Sequence, residues 1–282
     1  MEETRQKINQ TPITYLKPPK GWLSIDFKEL WRYRELVYFL TWRDIKVRYK
    51  QAVLGVAWAI LQPLLTMVIF SVIFGNLLGT PSEGIPYPLF SLTALLPWQL
   101  FASALQRSSI SLVGNSNLIT KVYFPRLAIP LASVFASLVD FLVSFVVLIG
   151  VMIYFGYWPG WNLFLLIPMV LLTILTALSV GLWLSAMNVQ YRDIQHMVPF
   201  IIQAWMYASP IVYPIETIPE GLWRWLYGLN PMVGVIQGFR WVIVGGTPPD
   251  LTMLISFGAV VLLLVSGLYY FRRMEKTFAD IV

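Results

Sequence analysis

Five apolar stretches, residues 53–78, 89–113, 127–154, 163–187 and 251–271, each supply the roughly 20 residues that a helix needs to cross the hydrocarbon of a bilayer. A sixth, 198–213, is short and borrows polar residues at its start. Six spans place both termini on one side. The composition agrees, with 57% hydrophobic and 12% charged residues, where a soluble domain carries about 25% charged. Mean hydropathy is +0.68. The fold expected is an all-α integral membrane protein.

Charge orients it. Eleven of the twenty Lys and Arg residues precede residue 51. Taking 1–50, 107–126, 189–196 and the tail from Arg272 as cytoplasmic gathers eighteen of the twenty. The opposite face keeps Arg224 and Arg240, with Glu83, Glu216, Glu220 and Asp250. Because basic residues stay inside, both termini are expected in the cytoplasm. The net charge of +6 does not indicate nucleic acid, since the basic residues hug the membrane boundaries.

Residues 27–50 read as one amphipathic helix between a cytoplasmic tail, 1–26, and a transmembrane domain, 51–272; residues 273–282 form a second tail. At about 100° per residue, Lys28, Arg32, Glu35, Arg43, Lys46 and Lys50 share a stripe opposite Leu30, Tyr33, Val37, Leu40 and Val47. Asp44 and Arg48 interrupt the apolar side, but their spacing lets them pair. A basic amphipathic helix feeding a span lies along the cytoplasmic membrane surface. It serves either as a topology anchor or as a face on which a soluble partner pushes. The first fifty residues hold no uninterrupted apolar core and no small-residue cleavage site, so no cleaved signal peptide is expected.

Before the last span, LWRWLYGL (222–229) and PMVGVIQGFRWVIVGG (231–246) are apolar and Trp-rich. The second extends only about 24 Å as a helix, short of the roughly 30 Å core. Pro219, Gly221, Pro231 and the run 245–249 punctuate both. Two short re-entrant or interfacial helices in the outer leaflet are expected. Pro63, Pro97, Pro130, Pro168 and Pro210 fall inside the expected spans and can kink them.

Several chemistries are missing. The chain has no Cys and one His, His196, so neither disulfides nor a His-based metal site are expected. It has no G-x-x-x-x-G-K-[ST] phosphate loop, no H-E-x-x-H and no G-x-S-x-G. No catalytic residues are assigned. Asp140 is the only acid deep in a span, too little for a proton relay. It is open to three readings: a structural ion pair, with Arg107 as candidate partner, a neutral acid, or a substrate contact. If the chain transports something, its energy is then expected from another subunit, acting on the amphipathic helix, the 114–126 segment or the 189–196 loop. The run Gly114-Asn115-Ser116-Asn117 supplies helix-capping residues, and Pro125 stops the short turn that follows. Asn188 to Asp193 offers a similar turn.

Taken in order, RDIKVRYKQAVLGVAWAILQPL (43–64), NSNLITKVYFPR (115–126), QYRDI (190–194), SPIVYP (209–214), NPMVGVIQGFR (230–240) and the closing FRRMEKTFADIV resemble the permease subunits of bacterial ABC exporters of O-antigen, capsule and teichoic-acid polysaccharides. Each piece alone is weak, whereas their order and spacing are specific. The resemblance implies a homodimer in the bacterial inner membrane, working with two separately encoded ATPase subunits that bind ATP and magnesium. No cofactor is implied in this chain. The implied cargo is a glycan on an undecaprenyl-pyrophosphate-type lipid. Carried over by position, the interface helix includes Arg43, Asp44, Lys46 and Arg48. ATPase coupling falls on Asn117, Leu118, Ile119, Lys121, Tyr123 and Phe124, with Arg192 and Asp193 as a second contact. Leu118 and Phe124 are expected to fill a groove on the ATPase. Trp223, Trp225, Tyr227 and Arg240 map to the outer gate.

Aromatic rings pack well on the C–H faces of sugars, and 15% of this chain is aromatic. Trp58, Trp205 and Tyr207 sit inside expected spans, where core packing and interfacial belts explain aromatics equally well. Gln62 and Gln203 favour a wet channel or an interhelical bond. With Arg107 and Asp140 they complete the candidate channel lining. Three alternatives remain: an ABC permease for drugs or lipids, a polyprenyl-linked membrane glycosyltransferase, and a proton-driven carrier.

Overall fold

The computed structural model describes residues 27–50, 55–248 and 250–278. The tail 1–26, the start of the first span and residues 279–282 lie outside them. All regular structure among the described residues is helical.

Helices α1 (Phe27–Arg32) and α2 (Arg34–Lys50) are separated only at Tyr33, whose N–H still reaches the Glu29 carbonyl at 3.2 Å. Then come α3 (Gly55–Phe70), α4 (Tyr87–Gly114), α5 (Ser116–Lys121), α6 (Ala128–Tyr154), α7 (Leu166–Gln190) and α8 (Ile194–Tyr207). The short α9 (Leu222–Gly228) and α10 (Pro231–Val244) precede α11 (Leu251–Glu275). A π-helical stretch, Ser71–Leu77, continues α3.

Among the described residues, five helical runs are long and apolar enough to cross a membrane: Ala57–Leu77, Tyr87–Gly114, Ala128–Tyr154, Trp161–Gln190 and Leu251–Glu275. This is a multi-pass membrane protein. The sixth expected span is a 14-residue helix, α8, about 21 Å long and too short to cross alone. It stops at Tyr207 because Ser209-Pro210 follows and proline cannot carry the helix on. Pro63 and Pro97 do lie inside helices. Pro130 and Pro168 instead fall on third residues of α6 and α7, where the missing N–H has no intrahelical acceptor to lose. Pro210 lies beyond its helix, and Pro199 takes the interior position in α8.

Helix α4 forms the centre, with α6 and α7 on either side, while α11 packs on α7 and α10 leans on α4, α7 and α11. Its small polar residues suit that place, since small side chains let helices approach closely. Ser91, Thr93, Ser109 and Ser111 bond to carbonyls one turn back within the helix, so their hydroxyls need no water. Glycine sets the closest approaches. A Cβ on Gly267 of α11 would sit 2.5 Å from the Ser179 carbonyl oxygen of α7, whereas one on Gly258 would meet nothing within 4 Å.

Helix α2 follows α6 rather than touching it at one point. Thr41 Oγ1 donates to the Ala132 carbonyl at 3.3 Å, Asp44 accepts from Ser133 at 3.5 Å, and Arg48 reaches Asp140. Val37 and Leu40 are buried, with Leu30 and Tyr33 packed beside them, as their shared stripe predicts. Val47 departs from it and is 63% exposed. Trp31, Tyr38, Phe39 and Trp42 are exposed too, beside the basic stripe, and Trp, Tyr, Lys and Arg are the residues that settle at head groups.

Candidate functional site: a charge cluster, two turns and two short helices

The charges expected to pair within α2 look elsewhere. Asp44 takes its neighbour Arg43 at 2.8 Å, and Arg48 turns to Asp140 on α6. Arg107 on α4 joins them, 3.2 Å from the same carboxylate oxygen. Tyr49 donates its hydroxyl to the other oxygen. Burial, and then the bond to Asp140, push the Tyr49 phenol up to about 12, so it stays protonated as a donor. Of the three readings of Asp140, the ion pair with Arg107 is the one found. Arg48 and Tyr49 had no local signal, because they lie 92 and 91 residues away.

The turn between α4 and α6 is capped differently from its sequence expectation. Asn115 gives no side-chain cap to α5; its Nδ2 donates backwards to the Ser111 carbonyl at 2.8 Å and so closes α4. Ile119 and Phe124 are buried in the chain's own core, Phe124 at 4% exposure, and Leu118 packs against that core. Phe124 is therefore not available to fill a groove on another protein. The apolar side chains this segment presents are Val122 and Tyr123, the latter 61% exposed, next to an exposed Lys121. Asn117 is also exposed.

A second anchor comes from the closing motif. The Arg126 guanidinium bonds to the Glu275 carbonyl oxygen, and the Glu275 carboxylate takes Arg272 at 2.7 Å. Partial burial, and then the negative charges of Glu29 and Glu275, push the Tyr123 phenol up. The turn after α5 and the end of α11 thus meet through Arg126 and Glu275. Across the α7–α8 turn, Tyr191, Arg192 and Asp193 are exposed. Asp193 gives no side-chain cap. The buried Asn188 does so from a distance, accepting from Gln195 N at 3.2 Å while donating to the Ser109 carbonyl of α4 at 3.1 Å.

Both short helices before α11 lie where punctuation placed them. Asn230 caps α10, its Oδ1 accepting from Met232 N at 3.0 Å and from Trp205 Nε1 at 2.8 Å. Its Nδ2 donates to the Ala208 carbonyl at 2.9 Å. Arg240 is buried and donates to the carbonyls of Ile211 and Tyr213 at 2.8 and 3.4 Å. The SPIVYP and NPMVGVIQGFR motifs thus hold one another, and Arg240 works as an internal fastener. Arg224 pairs with Asp250 at 3.0 Å and Glu220 at 3.8 Å. Trp223 and Trp225 are exposed, and the half-buried Tyr227 bonds to Tyr213 at 2.8 Å.

Of the candidate lining residues, Trp58, Gln62, Gln203 and Tyr207 are exposed on α3 and α8. Trp205 instead packs edge-on against Phe101 at 5.1 Å, so its ring is committed to the core.

These features define a helical membrane protein whose charges fasten helices and turns together. Residues 35–244 match the family described as ABC-2 type transporter, and the chain belongs to that family. It is 31% identical over 256 residues to the O-antigen export system permease protein RfbA of Myxococcus xanthus, covering 90% of this chain and 97% of that one. Its likeness to the Klebsiella pneumoniae protein of the same name is also 31%, over 88% and 95% of the two chains. The polysialic acid transport protein KpsM of Escherichia coli is 26% identical, over 83% and 91%.

Proposed function

We propose that this chain is the channel-forming permease subunit of an ABC exporter that carries lipid-linked polysaccharide of the O-antigen type across the bacterial inner membrane. The observation that carries this reading is the near end-to-end likeness, at 31% identity, to O-antigen export permeases. Two separately encoded ATPase subunits supply the energy and hold ATP and magnesium. Two copies of the chain enclose the path. Exposed Gln62 and Gln203 support this, because an amide facing lipid is disfavoured and one facing a wet channel is not.

Both termini lie in the cytoplasm, and α8 with the loop that follows completes a sixth crossing. The basic and aromatic outer face of α1–α2 rests at the head groups. The turn at Val122-Tyr123 and the exposed Tyr191-Arg192-Asp193 receive the ATPase stroke, and α9 and α10 re-enter the outer leaflet as the gate.

The test is deletion of the gene, with surface polysaccharide and the intracellular lipid-linked glycan measured together. Loss of surface polymer with accumulation of the lipid-linked form is expected, and restoration requires both this chain and its ATPase. Unchanged surface polymer with heightened drug sensitivity would instead establish the efflux permease.

A further inference from the structure

We infer that Arg48 and Arg107, with Asp140 as their internal counter-ion, form a site for the phosphate head group of a membrane lipid at the inner end of the helix bundle. The inference rests on the reading of the chain as a permease for lipid-linked cargo and names the part of that cargo the protein grips.

The charges do not balance. Two guanidiniums share one carboxylate, and Tyr49 adds a third donor to the same group. The neighbouring Asp44 does not correct the excess, because Arg43 and Ser133 occupy its two oxygens. Donors are in surplus as well, since each guanidinium offers five N–H groups. Arg48 Nη2 is buried with no acceptor among the described residues. Arg107 touches Asp140 through one nitrogen, and a third of its side chain remains exposed. A phosphate provides the missing acceptors in the forked geometry that guanidinium prefers.

Depth and surroundings select a lipid. Helix α4 runs seven residues beyond Arg107 to Gly114, about 10 Å, which sets the cluster near the border of hydrocarbon and head groups. Seven and eleven residues after Asp140, on the same face of α6, Val147 and Val151 line an apolar cleft of about 460 Å³ against Leu64 and Met67 of α3. A head group held by the arginines leads its hydrocarbon chain along that face towards the cleft.

The test uses the full permease–ATPase complex in phosphatidylcholine nanodiscs, with radiolabelled farnesyl pyrophosphate as probe and inorganic pyrophosphate and farnesol as competitors. Each competitor is expected to bind at least about tenfold more weakly than the probe, since each lacks one half of the recognition. Arg107→Gln should weaken the probe by about tenfold or more. Arg107→Lys, which keeps the charge and loses the fork, should fall between and serves if the glutamine variant does not fold. Asp140→Asn should leave affinity unchanged or raise it, because it removes the internal competitor. Weakening of binding by Asp140→Asn to the same extent as by Arg107→Gln would show a structural latch and overturn the site. Equal binding of inorganic pyrophosphate would overturn the lipid assignment. Absent probe binding with polysaccharide export intact overturns the site and leaves the transport reading standing; intact binding without any role in export overturns that reading alone.

Discussion

The guanidinium carbon of Arg240 on α10 lies 3.6 Å from the centroid of the Phe90 ring on α4. One residue therefore ties three parts of the molecule: α10 through its own backbone, α4 through the ring, and the loop after α8 through the carbonyls of Ile211 and Tyr213.

Arg240→Met should destabilise the chain by roughly 2–4 kcal/mol, because it orphans buried carbonyls and removes the cation from the ring. Arg240→Lys should recover part of this, since an ammonium keeps the charge but cannot fork to both carbonyls. Thermal unfolding of the detergent-solubilised protein measures the effect. A methionine variant as stable as the parent would show that the fastening is dispensable.

Variants in the turn after α5 test the proposed coupling apart from folding. Val122→Ala with Tyr123→Ala should leave stability nearly unchanged, because both side chains are exposed, yet uncouple ATP hydrolysis from polysaccharide display. Phe124→Ala should instead cost about 3–5 kcal/mol of stability, as for other buried phenylalanines. ATPase activity of the co-purified complex, surface glycan and melting temperature distinguish the two outcomes. Normal export by the Val122 and Tyr123 double variant would remove this turn from the coupling path.

Two glycines on α11 should respond differently to the same substitution. Gly267→Ala forces a methyl against the Ser179 backbone and should cost about 1–3 kcal/mol by overpacking. Gly258→Ala meets open space and should be neutral or stabilising by up to about 1 kcal/mol through helix propensity. A melting comparison of the two variants is sufficient.

Because the chain has no cysteine, single cysteines report access cleanly. Replacements of Trp223 and Trp225 should react with a membrane-impermeant reagent added outside, and replacements of the buried Ile236 and Phe239 should not. Labelling of Trp223→Cys only from the cytoplasmic side would invert the proposed orientation.

The two short helices before α11 were legible because Gly221, Asn230-Pro231 and Gly245 mark their ends chemically: Asn230 bonds at the cap, and Gly245 takes a left-handed conformation at φ 70°. The long spans were legible from hydropathy alone. Burial within the six residues of α5 was not, since fewer than two helical turns show no period, and Phe124 turned inward. Asp140 announced that it needed a partner, and Arg107 answered it. Arg48 was assigned to the nearer Asp44 because a sequence shows i,i+4 neighbours and conceals the packing of α2 along α6. Glu275 remained unmarked for the same reason: its contact with Arg126 spans 149 residues.

The π-helical stretch at Ser71–Leu77 carries more residues per turn than the α-helix before it. Deleting one residue there would let ordinary α-helical bonds re-form while the helix beyond kept nearly its present facing, because an i→i+5 turn takes up one extra residue. Gly75 is the constrained position within it, since the Tyr87 ring already lies 2.9 Å from where its Cβ would be. Residue identity at Gly75, more than residue count, is what this stretch has to preserve. Among relatives, a one-residue gap beside this position should be commoner than a larger side chain at it.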